Sequence, residues 1–199
     1  MSLMYKIVFG ILILTIVLGL LIGPFLNSKT FPKKIPSDAS VAYFAGGCFW
    51  CTEAAFENLS GVYEVISGYS GGNVSSPTYE QVITGTTGHK EAVAIYYNTT
   101  KITFTELVEY FWKNINPTDP LGQFADKGSQ YQTAIFYQND DEKIIAENSK
   151  QKLAQSKRFS SPIVTEILLF RNFYTTEDYH QDYYKKNSGK YKTYKFFSG

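Results

Sequence analysis

The sequence predicts an α/β (α+β) domain, a mixed β-sheet with covering helices in a two-layer sandwich, preceded by an N-terminal hydrophobic helix. Three observations predict it. Apolar runs of strand length alternate with longer stretches of helical spacing. Apolar residues make up 44% of 199 residues, enough for one domain with a sizeable core plus an appendage. The first part of the chain is uniformly apolar in a way the rest is not. The predicted division is residues 1–26, a membrane anchor or signal segment; residues 27–40, a linker; and residues 41–199, the domain holding every candidate catalytic side chain.

From Ile7 to Leu26 only Gly10, Thr15, Gly19, Gly23 and Pro24 interrupt large apolar side chains, and no charge falls within the run. About 20 helical residues cross a bilayer core, and a soluble core helix would show a polar face. No clear small-residue cleavage site follows, so an uncleaved single-pass anchor is expected. Counting Lys6 against Lys29, Lys33 and Lys34 slightly favours a cytoplasmic domain, whereas a short basic leader before an apolar run resembles an export signal. The expectation is a membrane-anchored or exported protein with its domain outside the cytoplasm. Residues 27–40, with Pro32, Pro36 and three lysines, read as the linker.

Residues 41–45 are a short apolar run ending at Gly46-Gly47, hence a buried strand. Residues 51–59 read as a helix stopped by Ser60-Gly61, and residues 62–69 as a strand stopped at Gly71-Gly72. Residues 92–97 form another apolar strand. Thr103 with Glu106 is a capping-box signature. Phe104, Leu107, Val108, Phe111, Trp112 and Ile115 then follow at amphipathic spacing, which marks core packing. Residues 131–137 read as a strand, 141–156 as a charged surface helix and 163–170 as a strand.

A net charge of +1 argues against a general nucleic-acid binder, because phosphate neutralisation needs clustered basic charge. The two cysteines, Cys48 and Cys51, are too few for a secreted disulfide scaffold, and a bridge between them would close almost no loop. A zinc half-site needs two further ligands, yet His89 and His180 are far apart in sequence. Redox chemistry suits the spacing best. Cys48 follows two glycines and precedes a helix, a turn that aims amide N–H groups at the side chain and favours the thiolate. Cys51 lies one turn on, within disulfide reach. Phe49-Trp50 between them departs from the Gly-Pro expected of a thioredoxin.

Gly47-Cys48-Phe49-Trp50 followed by Glu53 resembles the signature of the methionine sulfoxide reductases specific for the S epimer, the A type. Further blocks match in order: Gly68-Tyr69-Ser70-Gly71-Gly72, Pro77-Thr78-Tyr79-Glu80-Gln81-Val82, Gly88-His89-Lys90-Glu91-Ala92-Val93, Asp126-Lys127-Gly128-Ser129-Gln130-Tyr131 and Glu177-Asp178-Tyr179-His180-Gln181. The resemblance implies the fold of that family. It also implies roles: Cys48 the nucleophile, Phe49 and Trp50 the walls of the methyl pocket, and Glu91 the acid that protonates the sulfoxide oxygen. Tyr79 and Tyr131 are implied as hydroxyls holding that oxygen, and Asp126 as a further polar residue. His89 is a donor to a residue of the site or a turn residue, and His180 is expected to be structural.

The implied cycle oxidises Cys48 to a sulfenic acid and releases methionine. Cys51 then condenses with it to a disulfide, which a thioredoxin-like donor reduces. Many relatives carry resolving cysteines near the C-terminus; here the tail has none, as in the Cys-Phe-Trp-Cys branch, so resolution falls to Cys51 or an outside thiol. No metal or organic cofactor is implied. The expected partners are methionine sulfoxide, free or in proteins, the thioredoxin-like reductant and the membrane, with no nucleic acid. The competing functions are a membrane-tethered thiol-disulfide oxidoreductase or redox sensor, and a binding module that has lost turnover; the presence of Glu91 and both cysteines argues against the last.

Overall fold

The structure, a computed structural model, describes residues 35–198. The predicted N-terminal hydrophobic helix and most of the linker lie outside the described residues, and with them the membrane expectation. Among the described residues no helix is long and apolar enough to cross a membrane.

The predicted mixed sheet is present. Six strands form it: β1 (Ser40–Ala45), β2 (Val62–Ser70), β3 (Lys90–Tyr97), β6 (Ala134–Tyr137), β7 (Glu166–Leu169) and β8 (Phe173–Thr175). Their order is β7-β6-β1-β3-β2-β8, and only the β6–β7 pair is parallel. A separate two-stranded ribbon pairs β4 (Gly122–Gln123) with β5 (Asp126–Lys127). The helices are α1 (Phe49–Phe56), α2 (Tyr79–Val82), α3 (Phe104–Phe111), α4 (Asp140–Gln155), α5 (Tyr183–Lys186) and α6 (Ser188–Ser198).

Alternation along the central strands divides the side chains between two faces. Ala42 and Phe44 of β1, Val93 and Ile95 of β3 and Ile135 of β6 enter the main core, where they meet Phe56 of α1 and Leu107, Val108 and Phe111 of α3. Ala45, Ala92, Ala134 and Phe136 face the other way, with Tyr43 stacked on Phe170 at 4.0 Å. Both faces of the middle strands are therefore dry, which explains their near-continuous apolar sequence.

Several boundaries differ from expectation. Helix α1 starts at Phe49 with Cys48 as its N-cap, two residues before the predicted start. Thr103 caps α3 as expected: its hydroxyl accepts from the Glu106 amide, and its own amide donates to Glu106 Oε2 at 2.8 Å. The regular helix stops at Phe111 because Lys113 and Asn114 turn back onto Tyr110 and Phe111 with three-residue spacing. Trp112 and Ile115 are buried nonetheless. Tyr131, read as the start of a strand, belongs to a short 3-10 turn (Ser129–Tyr131), and the strand begins at Ala134. The strand expected over residues 163–170 spans 166–169. Strand β8 and helices α5 and α6 were not anticipated.

Candidate active site

The site begins where β1 ends. Gly47 has φ +87°, and a Cβ there would lie 2.5 Å from Gln123 Cβ, so only glycine suits this turn. Gln123 is itself fixed by the Asn116 amide and carbonyl and by the Gly122 carbonyl. The turn leaves Cys48 at the mouth of α1 with 9% of its surface exposed. Thr52 and Cys51 close the first turn onto the Cys48 carbonyl.

The first helical amide is not free for the thiol, as the sequence had suggested. Phe49 N–H donates instead to Glu91 Oε2 at 2.9 Å. Glu91 is on β3 opposite Tyr69 and is 2% exposed. Burial dominates its titration: despite the Phe49 hydrogen bond, its carboxyl is pushed up to about 8, with Asp126 and Cys51 adding to the rise. At neutral pH it is a carboxylic acid, one oxygen held by the amide and the other able to carry a proton.

The thiol pair also corrects an expectation. Burial pushes the Cys48 thiol well up, and a hydrogen bond from Cys48 to Cys51, together with the Glu91 charge, adds to the rise. Cys51 moves down because it accepts that bond, against its own burial, with help from Tyr191 and from the Lys195 charge. Desolvation outweighs the helix end at Cys48, so the resting nucleophile candidate is a neutral thiol.

Tyr79, the first residue of α2, is pushed up to about 12 by burial and by the neighbouring Glu91, Cys48 and Asp126. Tyr131 rises for the same reasons, burial first, then Glu91, Tyr79, Asp126 and Cys48. These mutual influences place Cys48, Glu91, Tyr79, Tyr131 and Asp126 in one neighbourhood, although they come from five separate segments. Phe49, Trp50, Tyr79 and His180 make an aromatic box: Phe49 lies 5.1 Å from His180 and 6.5 Å from Tyr79, ring centre to ring centre. A cavity of about 410 Å³ opens beside Cys48, Cys51 and Asp126. Phe49, Trp50, Tyr79, Glu91 and Tyr131 do not line that cavity.

The two histidines separate. His89 is bound through both ring nitrogens, accepting from the Gly72 amide and pairing with the Val74 carbonyl at 2.8 Å, so it fixes a turn. His180 accepts from Trp50 Nε1 at 3.0 Å and orients the indole. Its Nε2 is buried with no partner among the described residues. Glu177 carries α2: Oε1 accepts from the Tyr79 amide and Oε2 from Tyr69 and Thr176. Burial opposes its charge, but these bonds hold it down at about 2.

Sequence reasoning missed the C-terminal wall. Tyr183 stacks on Trp50 at 3.8 Å and 8°. Tyr194 donates to Asp126 Oδ2, touches Cys48 and sets its ring edge-on to Trp50. The spacing of Tyr191, Tyr194 and Lys195 could have signalled one helical face, but so many Tyr and Lys residues hide it. Among the described residues there is no group of His, Cys, Asp and Glu able to hold a metal ion.

Comparison with known proteins gives the family. The family described as peptide methionine sulfoxide reductase matches residues 40–199. Peptide methionine sulfoxide reductase MsrA of Bacillus subtilis is 52% identical over 159 residues, covering 80% of this chain and 90% of that protein. The MsrA of Streptococcus agalactiae is 51% identical over 150 residues, with 75% and 89% covered. Among solved structures, methionine sulfoxide reductase A of Corynebacterium diphtheriae superposes with TM-score 0.69 at 33% identity, covering 77% of each chain. Mxr1 of Saccharomyces cerevisiae in reduced form gives 0.67 at 30%, with 77% of this chain and 88% of that one covered. Matched along nearly all of its described length in both sequence and fold, the chain belongs to the peptide methionine sulfoxide reductases of the A type, and is an oxidoreductase.

Proposed function

We propose that the chain reduces methionine S-sulfoxide, free and in proteins, through Cys48, and so repairs oxidised proteins. The observation that carries this reading is the buried Glu91 carboxyl, hydrogen-bonded to the amide beside the thiol, where burial pushes it up to about 8. A sulfoxide needs a nucleophile at sulfur and a proton at oxygen, and these two groups are adjacent. Phe49 and Trp50 take the methyl group. Tyr79 and Tyr131 hold the oxygen, and Asp126 adds a polar contact.

The sulfoxide oxygen takes the Glu91 proton as Cys48 Sγ bonds to the sulfur. The carboxylate left behind accepts the Cys48 thiol proton, which accounts for a nucleophile that rests neutral. The oxygen passes to Cys48 as a sulfenic acid and methionine leaves. Cys51 then forms a disulfide with Cys48, and a thioredoxin-like dithiol reduces it by exchange. This is the Cys-Phe-Trp-Cys cycle, run within one helical turn.

Methionine release from resolved sulfoxide epimers with dithiothreitol tests the reading. Activity on the S epimer alone is expected, and none on it would end the proposal. Cys48→Ser is expected to release no methionine in any format. The alternative, a thiol-disulfide oxidoreductase acting on protein disulfides, has no need of a protonated Glu91 beside the thiol. For residues 1–26 we keep the reading of a membrane anchor with the domain outside the cytoplasm. A reporter fused after Gly199 that works only in the cytoplasm should be silent.

A further inference from the structure

Helix α6 brings three polar side chains to the two cysteines. Tyr191, Tyr194 and Lys195 are spaced to share one helical face. Tyr191 is 8% exposed, and its buried hydroxyl has no hydrogen-bond partner among the described residues. The Cys51 charge acts on that hydroxyl more than any other charge does. The Tyr194 hydroxyl stands between Asp126 Oδ2 and Cys48 Sγ. Tyr194 and Lys195 line the same cavity as both cysteines, and the Lys195 charge acts on Cys51.

This placement is built rather than incidental. Helix α1, which carries the cysteines, also holds the segment leading to α6. Glu53 Oε1 accepts from the Asp182 amide at 2.9 Å. Glu57 takes both the Tyr184 hydroxyl and the Lys185 ammonium. Tyr184 in turn meets Tyr191 edge-on at 6.0 Å. One tyrosine is thus assigned to each sulfur by a helix tied to the helix that bears them.

We propose that Tyr191 and Tyr194 are catalytic residues of the resolving step, Tyr191 donating to Cys51 Sγ as it attacks and Tyr194 giving a proton to the oxygen that leaves Cys48. The proposal rests on the Cys48 sulfenic acid described above. Cys51, as thiolate, gives an electron pair to Cys48 Sγ. The S–S bond forms, the Cys48 S–O bond breaks, and the departing oxygen takes the Tyr194 proton to leave as water. The proton released earlier by the Cys51 thiol restores Tyr194 through the open cavity. Sulfenic acid and thiol become disulfide and water, the sulfenic sulfur reduced and the Cys51 sulfur oxidised. A hydroxyl has one proton and two lone pairs, so Tyr194 can bond Asp126 at rest and turn to the sulfenic oxygen when charge develops there.

The experiment is a single turnover of the full chain with excess methionine S-sulfoxide peptide and no reductant. Methionine release and disulfide closure are timed in the same samples, and dimedone traps any sulfenic acid. In Tyr191→Phe and Tyr194→Phe, which keep both rings packed, the ratio of closure rate to release rate is expected to fall at least about tenfold, as for loss of one preorganised donor. The dimedone adduct should rise accordingly. An unchanged ratio in both variants overturns the proposal, and so does an equal slowing of both steps. Absence of methionine from the unsubstituted chain would instead remove the underlying cycle. As a second measurement in a Cys48→Ser background, Tyr191→Phe should slow alkylation of Cys51 several-fold, since the thiolate is the reactive form. An unaltered rate there removes Tyr191 from the step.

Discussion

At the scale of the residue, the sign of each titration fixes what the site can do. Glu91 holds its proton up to about 8, so a reaction that needs its acid form runs below that pH and fails as the pH rises through it. The alkaline limb of kcat against pH should therefore fall near pH 8 and vanish in Glu91→Gln. That variant should also lose activity on the order of a hundredfold to ten-thousandfold, the usual worth of a positioned general acid. The same shift bears on stability. An unfolded Glu ionises near its ordinary value while the folded one stays protonated, so its contribution is present at acid pH and declines as pH climbs toward 8. Glu53, also pushed up to about 8 by burial, declines in the same window. Thermal denaturation at pH 5 and pH 8 checks this, and the difference should narrow in Glu91→Gln. The residue types at these positions were legible because each block is specific to its chemistry. The protonation of Cys48 was not, since the sequence shows a helix start but not the depth at which it is buried.

At the scale of the element, two turns can be tested separately from chemistry. Gly47→Ala forces a side chain into a left-handed backbone and against Gln123 Cβ, and should cost about 1–3 kcal/mol or more in urea denaturation. It should also lower activity beyond what the stability loss explains, because the turn sets where the thiol points. Thr103→Ala removes an exposed cap far from the site and should cost about 1 kcal/mol with turnover per folded molecule intact. The long elements could be read from period alone: the amphipathic stripe of α3 and the dry strands β1 and β3 are what their sequences say. Strand β8 is too short to show a period, and it exists because Gly68 and Ser70 of β2 have an open edge to pair with. Helix α6, rich in Tyr and Lys and containing glycine, has little intrinsic helical signal, and the buried Tyr191 and the edge-on contact of Tyr194 with Trp50 supply what propensity does not.

At the scale of the whole molecule, the site is assembled from segments that are far apart in sequence. Residues 46–53, 79, 91, 126–131, 177–183 and 191–195 meet because antiparallel pairing folds β3 and β2 beside β1, and because the C-terminal segment returns to α1. The order of the blocks could be read, but not this convergence. Cutting the chain after Asn187 removes α6 while leaving the sheet and its core side chains in place. Such a chain should retain the folded signature in circular dichroism yet close its disulfide far more slowly, as thiol titration after one turnover would show.

The indole of Trp50 lies between the two cysteines in sequence, bonded to His180 through its N–H and stacked on Tyr183. A bond between Cys48 and Cys51 must shift the intervening backbone, and with it the ring, while Glu53 and Glu57 hold the rest of the helix in register. The chain thus contains its own optical gauge. Ultraviolet-excited emission should change in step with disulfide closure and relax on reduction, with Trp112, bonded to Ser149 on α4, as the constant background.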